Sequence, residues 1–220
     1  MVIRNIIFDL GGVLLNIDYQ ATFQCFKGLG VTDFNEFFTQ SNQTQLFDRF
    51  DRGEVGPQEF RDKVRAITGL PLTDRAIDHC WNAMLLDLPW HRVELLDGVR
   101  THYRTFLLSN TNAIHYPALA EYLRREFGVD SLEGHFEKQY LSHEIGLRKP
   151  DRKVYRLILE ENGLKPGQTL FIDDSLQHVE GARDAGLKAL WLNVDQLQVS
   201  DLFDGDFRLR NEVKGLLLGP

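Results

Sequence analysis

Polar side chains end three short apolar runs of this chain, at positions far apart in the sequence. They are Asp9, Ser109-Asn110 and Asp173-Asp174. Three carboxylates that share a small volume repel one another unless a cation lies among them, and hard oxygen ligands of this kind suit Mg2+. If the fold brings these runs together, the clusters predict a magnesium site that also carries a hydroxyl and an amide.

A lysine in the segment GLRKPD supplies a positive charge for the same chemistry. Lys149 follows Gly146 and precedes Pro150, which predicts a loop or a first helical turn and excludes a helix interior. A carboxylate nucleophile, Mg2+, a lysine and a hydroxyl form a set suited to phosphoryl transfer, because the metal and the lysine neutralise the phosphoryl oxygens. An anionic carboxylate can then approach phosphorus.

The elements that must position these residues follow from the hydrophobic pattern. Strands are predicted at 2–8, 105–110, 136–142, 169–174 and 188–192, and helices at 93–103, 117–127, 153–162 and 178–186. Repeated strand–helix–strand units predict an α/β fold with a parallel sheet and helices on both faces. The ligand crevice of such a sheet lies outside the carboxyl ends of its strands, where the three polar clusters would meet.

The pattern between Tyr19 and Leu88 is helical throughout. Its apolar residues recur at spacings of three and four, which predicts about four amphipathic helices and no strand. The residues of these stripes are Phe23, Phe26, Phe34, Phe37, Phe38, Leu46, Phe47, Phe50, Phe60, Val64, Ile67, Ile77, Trp81, Met84 and Leu85. We therefore expect an α/β core formed by residues 1–16 and 89–220, with an all-helical insertion at residues 17–88.

Composition narrows the class of protein. A net charge of −7 argues against binding to nucleic acid or to an anionic membrane surface, and no stretch reaches the roughly 20 apolar residues that cross a bilayer. The beginning of the sequence lacks the pattern of a secretory signal. Cys25 and Cys80 could pair, but such sparse cysteine fits free thiols in a reducing compartment. These features predict a cytoplasmic protein.

Four segments, in chain order, resemble the motifs of the haloacid dehalogenase (HAD) superfamily: FDLGGVL, LLSNT, GLRKP and FIDDSLQHVEGARDAG. The helical stretch resembles the cap of its sugar-phosphate phosphatase branch, the group of alpha-glucose-1-phosphate phosphatase and the phosphatase domain of soluble epoxide hydrolase. The resemblance implies a Rossmann-like parallel sheet of strand order 3-2-1-4-5 with an inserted helical cap. It also implies a Mg2+-dependent phosphatase of small phosphorylated metabolites, sugar phosphates foremost.

The resemblance also implies a role for each motif residue. Asp9 would be the nucleophile that becomes an aspartyl phosphate, and it would bind Mg2+ together with the backbone carbonyl of Gly11. Asp174 would ligate the metal directly, and Asp173 would hold a metal-bound water. The residues implied to contact the phosphoryl group are Ser109, Asn110 and Lys149, the last of which would also bridge to the nucleophile.

Gly11 departs from the pattern of the superfamily, in which most phosphatases carry an aspartate at this position as general acid and base. Such a group is worth about 10²–10⁴-fold in rate. Three explanations remain open: another group such as Asp18 or a cap residue replaces it, the substrate has a good leaving group, or the protein is a catalytically weak phospho-ligand-binding pseudophosphatase. A 2-haloacid dehalogenase would use the same nucleophile without Mg2+, and Asp173-Asp174 argue against it.

Overall fold

The computed structural model describes residues 2–31 and 45–216 of the chain. Its centre is a sheet of five parallel strands in the order β3-β2-β1-β4-β5, as expected. The strands are β1 (Asn5–Phe8), β2 (Arg104–Ser109), β3 (Lys138–Leu141), β4 (Thr169–Asp173) and β5 (Lys188–Trp191). Each predicted strand is therefore present, with bounds that differ from the prediction by a few residues.

Helices connect the strands, and one follows the last strand. They are α1 (Tyr19–Gly28), α2 (Leu46–Asp51), α3 (Pro57–Thr68), α4 (Asp74–Asn82), α5 (Trp90–Val99), α6 (His115–Phe127), α7 (Ser142–Ile145), α8 (Arg152–Asn162), α9 (Leu176–Asp184) and α10 (Asn211–Leu216). In the described residues between β1 and α5 the chain forms four helices and no strand of the sheet, as the sequence predicts. Phe34, Phe37 and Phe38, which the helical pattern also included, lie outside the described residues.

The three inner strands, β1, β2 and β4, are buried on both faces, which is why they read as continuous apolar runs. Successive side chains of a strand point to opposite faces. In β1, Ile6 and Phe8 belong to one apolar cluster, whereas Ile7 belongs to the cluster on the other face. Helices pack against both faces, and the carboxyl ends of β1, β2 and β4 consequently open toward the same edge of the sheet.

The four helices α1 to α4, which we call the helical block, have an apolar cluster of their own. Phe50 of α2 stacks on Phe60 of α3 with ring centroids 4.3 Å apart. Trp81 of α4 packs on the same phenylalanine at 4.8 Å. Ile114, which follows β2, joins this cluster from the sheet side. The helical block is thus built on its own stripes and contacts the α/β part at a limited surface.

The expectation of two free thiols is wrong. Cys25 of α1 and Cys80 of α4 form a disulfide, with their Cα atoms 5.1 Å apart. Each cysteine lies on the inner side of its helix, so the pairing depends on how α1 and α4 pack, which two isolated cysteines in a sequence do not reveal. The cysteine argument for a reducing compartment therefore no longer holds, and a cytoplasmic location stays a prediction. In the part of the chain described here, no helix combines the length and apolarity needed to cross a bilayer.

Candidate active site

A cavity of about 620 Å³ lies at the carboxyl ends of the strands, between the sheet and the helical block. Six of the seven residues singled out in the sequence line it: Asp9, Gly11, Ser109, Asn110, Lys149 and Asp174. The seventh, Asp173, lies fully buried behind Lys149. The topology thus gathers residues that stand as much as 165 positions apart, from Asp9 to Asp174.

Lys149 bridges two carboxylates in the interior. Its Nζ lies 2.6 Å from Oδ1 of Asp9 and 2.7 Å from Oδ2 of Asp173, and its side chain is fully buried. Although burial alone would lower it, the two carboxylates raise the pKa of Lys149 above its usual value. The lysine therefore stays charged and fixes the position of Asp9, whereas its contact with a phosphoryl group stays a prediction.

Both carboxylate oxygens of Asp173 are occupied. Oδ1 accepts a hydrogen bond from the backbone N–H of Ser175 at 2.8 Å, and Nδ1 of His178 lies 3.0 Å from the same oxygen. Oδ2 accepts from Lys149. Although burial would raise it, Lys149 and His178 hold the pKa of Asp173 well below its usual range. Asp173 consequently holds the lysine in place, and neither of its oxygens is left without a partner to face the cavity.

Asp174, in contrast to Asp173, lines the cavity. Burial, together with the adjacent Asp173 carboxylate, raises its pKa. Burial likewise raises the pKa of Asp9 well above its usual value, and the carboxylates of Asp173 and Asp174 add to this rise. Three carboxylates thus crowd around one lysine, and a divalent cation would balance the remaining two negative charges.

The donor set fits a hard cation at the cavity side of Asp9. Atoms of Asp9, Asp173 and His178 lie within 4.8 Å of one another, but Lys149 already fills the space between the two carboxylates. The oxygens that remain are those of Asp9, Asp174 and the Gly11 backbone, and oxygen ligands are what Mg2+ prefers.

The comparisons with known proteins agree with this geometry. The family model for haloacid dehalogenase-like hydrolases matches residues 3–186. This chain belongs to that family. It is 28% identical over 188 residues to a D-ribitol-5-phosphate phosphatase of Bacteroides thetaiotaomicron, covering 84% of this chain and 90% of the relative. It is 26% identical over 191 residues to the sesquiterpene phosphatase AstK of Aspergillus oryzae, covering 84% and 88%.

A solved structure is similar over almost the whole fold. A HAD family enzyme of Bacteroides thetaiotaomicron, in complex with magnesium and inorganic phosphate, superposes with a TM-score of 0.78 and 34% identity, covering 86% of this chain and 93% of that one.

In this HAD-like hydrolase, Gly12 is required for the approach of Asp174. Gly12 has φ +75°, and a Cβ built on it would lie 2.1 Å from Oδ2 of Asp174. Gly11 has no such restriction, since a Cβ there would lie 3.4 Å from Cδ1 of Ile17. The two neighbouring glycines therefore have different roles, and only Gly12 is demanded by sterics.

This contrast gives a matched pair of substitutions. Gly12→Ala is expected to displace Asp174, to weaken the apparent affinity for Mg2+ by about 10–100-fold, and to destabilise the fold by about 1–2 kcal/mol because of its left-handed backbone. Gly11→Ala is the control, expected to change both quantities little. Magnesium titration of activity and urea unfolding measure the two effects. Equal metal affinity in the two variants would contradict the placement of Asp174.

The space beside Gly11 is occupied by an apolar side chain, that of Ile17. Asp18, a candidate replacement for the missing acid, instead caps α1 by accepting a hydrogen bond from the N–H of Gln20 at 2.8 Å. It is exposed and does not line the cavity. The general acid that Gly11 lacks is therefore not supplied by Asp18.

Asn110 holds the Lys149 segment in place. Its Nδ2 donates to the Lys149 carbonyl at 3.0 Å, and its Oδ1 accepts from the Lys149 N–H at 2.9 Å. Ser109 is buried at the carboxyl end of β2 and lines the cavity beside it. The amide therefore positions the lysine, a role that the sequence did not suggest, in addition to facing the cavity.

Sequence reasoning missed a charged cluster where the helical block meets the sheet. Arg148 pairs with Asp48 and, at 3.6 Å, with Asp51. Asn112 donates to Asp51 at 3.2 Å. Burial raises the pKa of Asp51 to about 6, although Arg148 and Asn112 lower it. One feature of the sequence could have indicated this cluster. Arg148 directly precedes Lys149, so Arg148 lies at the same edge of the sheet.

His115 joins the helical block to the first turn of α6. Its ring stacks on Trp81 with centroids 5.1 Å apart, and its Nδ1 lies 2.8 Å from Oδ1 of Asn82. Burial lowers the pKa of His115 to about 3. The ring is accordingly neutral at physiological pH and donates its Nδ1 proton to Asn82.

This neutral histidine makes stability depend on pH. Since the pKa is about 3 in the folded protein and about 6.5 in the unfolded chain, the unfolded chain binds more protons between these values. Stability therefore falls as pH drops below about 6.5, by about 2 kcal/mol at pH 5. His115→Gln should remove this part of the loss in urea unfolding, whereas the exposed His79→Gln should not. Identical pH profiles for wild type and His115→Gln would contradict the buried, neutral state.

Proposed function

We propose that this HAD-like hydrolase is a Mg2+-dependent phosphatase of small phosphorylated metabolites that works through an aspartyl phosphate on Asp9. The observation that carries the proposal is the excess of two negative charges in a cluster of one lysine, two buried carboxylates and the half-buried Asp174 at a cavity. A divalent cation would balance this excess, so that an anionic phosphate ester could approach Asp9. A pure binding protein has no need of a carboxylate fixed against the incoming phosphate.

Asp9 is oriented for attack by bonds to one of its oxygens. Lys149 Nζ and the backbone N–H of Leu10 both contact Oδ1, each at 2.6 Å. Within the described residues Oδ2 has no hydrogen-bond partner, which leaves it to attack phosphorus. The P–O bond to the alcohol breaks as the Asp9–phosphorus bond forms. A water then hydrolyses the acyl phosphate, which releases inorganic phosphate and restores Asp9.

Each remaining residue has a proposed part in these steps. Mg2+, when bound, neutralises the phosphoryl oxygens, and the residues that would hold it are Asp9, Asp174 and the carbonyl of Gly11. Ser109 and Asn110 would bind the phosphoryl group with Lys149. Asp173 would keep the lysine charged and in place, with a metal-bound water as its only proposed link to the cation.

The domain division belongs to the same proposal. Residues 17–88 would form a cap over a core made of residues 1–16 and 89–220, and would exclude bulk water during the reaction. The relatives support small phosphorylated substrates, since one is a phosphatase of a polyol phosphate. The acidic net charge argues against nucleic acid as a ligand on electrostatic grounds, and a cytoplasmic location remains part of the proposal.

Phosphate release from a panel of monoesters, with Mg2+ and with a chelator, tests the function. We expect turnover that disappears with the chelator and returns with added Mg2+. Chloride release from 2-haloacids without metal would instead identify a dehalogenase. Tight binding of phosphate esters without turnover of any panel member would identify a binding protein, and either result would overturn the proposal.

A further inference from the structure

The cavity wall that lies across from Asp9 is largely apolar. Its side chains come from the helical block and from the segments that flank it: Ile17, Phe23, Phe47, Trp81, Met84 and Leu85. Most of them are half-buried, so they keep surface that a ligand can cover. In a phosphatase the phosphoryl group would lie at the carboxylates, and the alcohol would extend toward this wall.

Most polar side chains on the same side are already bonded to other residues; Tyr19, which is 59% exposed, has no hydrogen bond among the described residues. A polyhydroxylated alcohol needs donors and acceptors that are available to bind its hydroxyls, and satisfied groups do not offer them. The pairs among the described residues are Arg148 with Asp48 and Asp51, Asn112 with Asp51, His115 with Asn82, and the Thr22 hydroxyl with the Trp81 carbonyl. The exposed substrate-facing surface is therefore chiefly carbon.

Two donors of cavity-lining residues lack a hydrogen-bond partner among the described residues, Nε1 of Trp81 and Nε of Arg148. Both atoms are themselves buried, so neither offers a hydrogen bond to a ligand that occupies the cavity. Trp81 is 9% exposed, and what it presents to the cavity is the carbon of its ring, which suits an apolar body with few polar atoms.

The absence of an acid at Gly11 favours the aromatic members of such a class of esters. Ile17 occupies the adjacent space, so the departing oxygen meets a hydrocarbon group there. The departure of a leaving group is slowed least by this environment when the group can leave without full protonation. Phenols, with a pKa of about 10, leave as anions more readily than the alkoxides of simple alcohols or polyols.

From these observations we infer that the substrate is a phosphate monoester of an apolar alcohol, with a ring or chain of carbon packed against Trp81, Phe47 and Met84. The inference rests on the proposed phosphatase function and specifies its substrate class. Aromatic and isoprenoid alcohols share the chemistry that the wall would recognise, and the two are separated by the probes below. The similarity to a sesquiterpene phosphatase is consistent with such a class.

Steady-state kinetics with four probes tests this inference. Acetyl phosphate is too small to reach the wall and measures the chemistry alone, ribitol 5-phosphate represents polyols, and 2-naphthyl phosphate and geranyl monophosphate represent the two apolar sources. We expect kcat/KM for at least one apolar ester to exceed that for ribitol 5-phosphate by about tenfold or more. The ester that is preferred tells which apolar source the wall fits.

Two substitutions and a control locate the effect. Met84→Gln keeps the length of the side chain and makes the wall polar, and Trp81→Phe keeps an aromatic ring and removes part of the apolar surface. Both are expected to lower kcat/KM for the preferred apolar ester by about tenfold and to leave acetyl phosphate turnover unchanged. The control is Leu86→Gln, at an adjacent residue that is 44% exposed and does not line the cavity; it is expected to change neither.

The possible outcomes distinguish a failure of this inference from a failure of the proposed phosphatase function. Suppose that acetyl phosphate is turned over and that kcat/KM for ribitol 5-phosphate equals or exceeds kcat/KM for both apolar esters. This result overturns the inference and leaves the phosphatase proposal intact. An apolar preference that Met84→Gln and Trp81→Phe leave untouched also overturns it, because the wall would not be its source. No Mg2+-dependent turnover of any probe, acetyl phosphate included, overturns the proposed function and the inference with it.

Discussion

Replacement of Asp9 by asparagine is expected to reduce phosphate release at least about 10⁴-fold, the scale seen when a nucleophile is removed. The amide has the shape of the carboxylate but cannot form an acyl phosphate at useful rate. Lys149 keeps its second carboxylate partner, Asp173, at 2.7 Å, so the fold should persist. Phosphate release under saturating Mg2+ measures the loss, and circular dichroism checks the fold.

Asp18→Asn is the matched control for this experiment. The same chemical change falls on an exposed N-cap residue, and asparagine caps a helix as well as aspartate does. Activity and stability should therefore stay close to wild type. Retention of more than about a hundredth of wild-type activity by Asp9→Asn would contradict the covalent mechanism, because general acid–base help alone is worth about that much.

Lys149→Met should be the most destabilising single substitution at this site. The ammonium is fully buried between Asp9 and Asp173, and removal of one partner from a buried ionic cluster costs about 3–5 kcal/mol because the remaining charges lose their compensation. Methionine fills a similar volume, so the loss is chiefly electrostatic. Urea unfolding in the presence of a chelator measures it.

Two further variants make this result specific. The double variant Lys149→Met/Asp173→Asn removes the carboxylate that depends most on the lysine, and it should recover part of the lost stability. Lys153→Met changes an exposed lysine in the first turn of α8 and should cost little. A loss equal in Lys149→Met and in the double variant would mean that packing, and not charge, governs the site.

The parts of the fold that depend on local pattern were predictable from the sequence. β1 is a short apolar run that ends directly before Asp9, and β4 is one that ends at Asp173; parallel topology alone is enough to bring such ends together. The placement of six of the seven expected site residues around one cavity follows from this, whereas the order of the strands was implied by the resemblance to the HAD superfamily. Their roles in catalysis and metal binding stay predictions.

Features that depend on packing between distant elements were not predictable. The disulfide of Cys25 and Cys80 requires α1 and α4 to lie side by side, and the pairing of Arg148 with Asp51 requires the helical block to rest on the sheet edge. Neither of these two contacts produces a periodic pattern in the sequence. Likewise, the sequence could not tell that Asp173 is enclosed by Lys149 and His178 whereas its neighbour lines the cavity, since adjacent carboxylates differ only in the direction that the backbone gives them.

Direct capture of the covalent intermediate tests the central claim, that Asp9 accepts the phosphoryl group. The protein is mixed with a hydrolysed monoester and Mg2+, quenched in acid during turnover, and treated with borohydride, which reduces an aspartyl phosphate to homoserine. Peptide mass spectrometry then locates the change. We expect homoserine at position 9 in the wild type, dependent on substrate and Mg2+, and none in Asp9→Asn. Full turnover with an unmodified Asp9, or reduction at another carboxylate, would contradict the account.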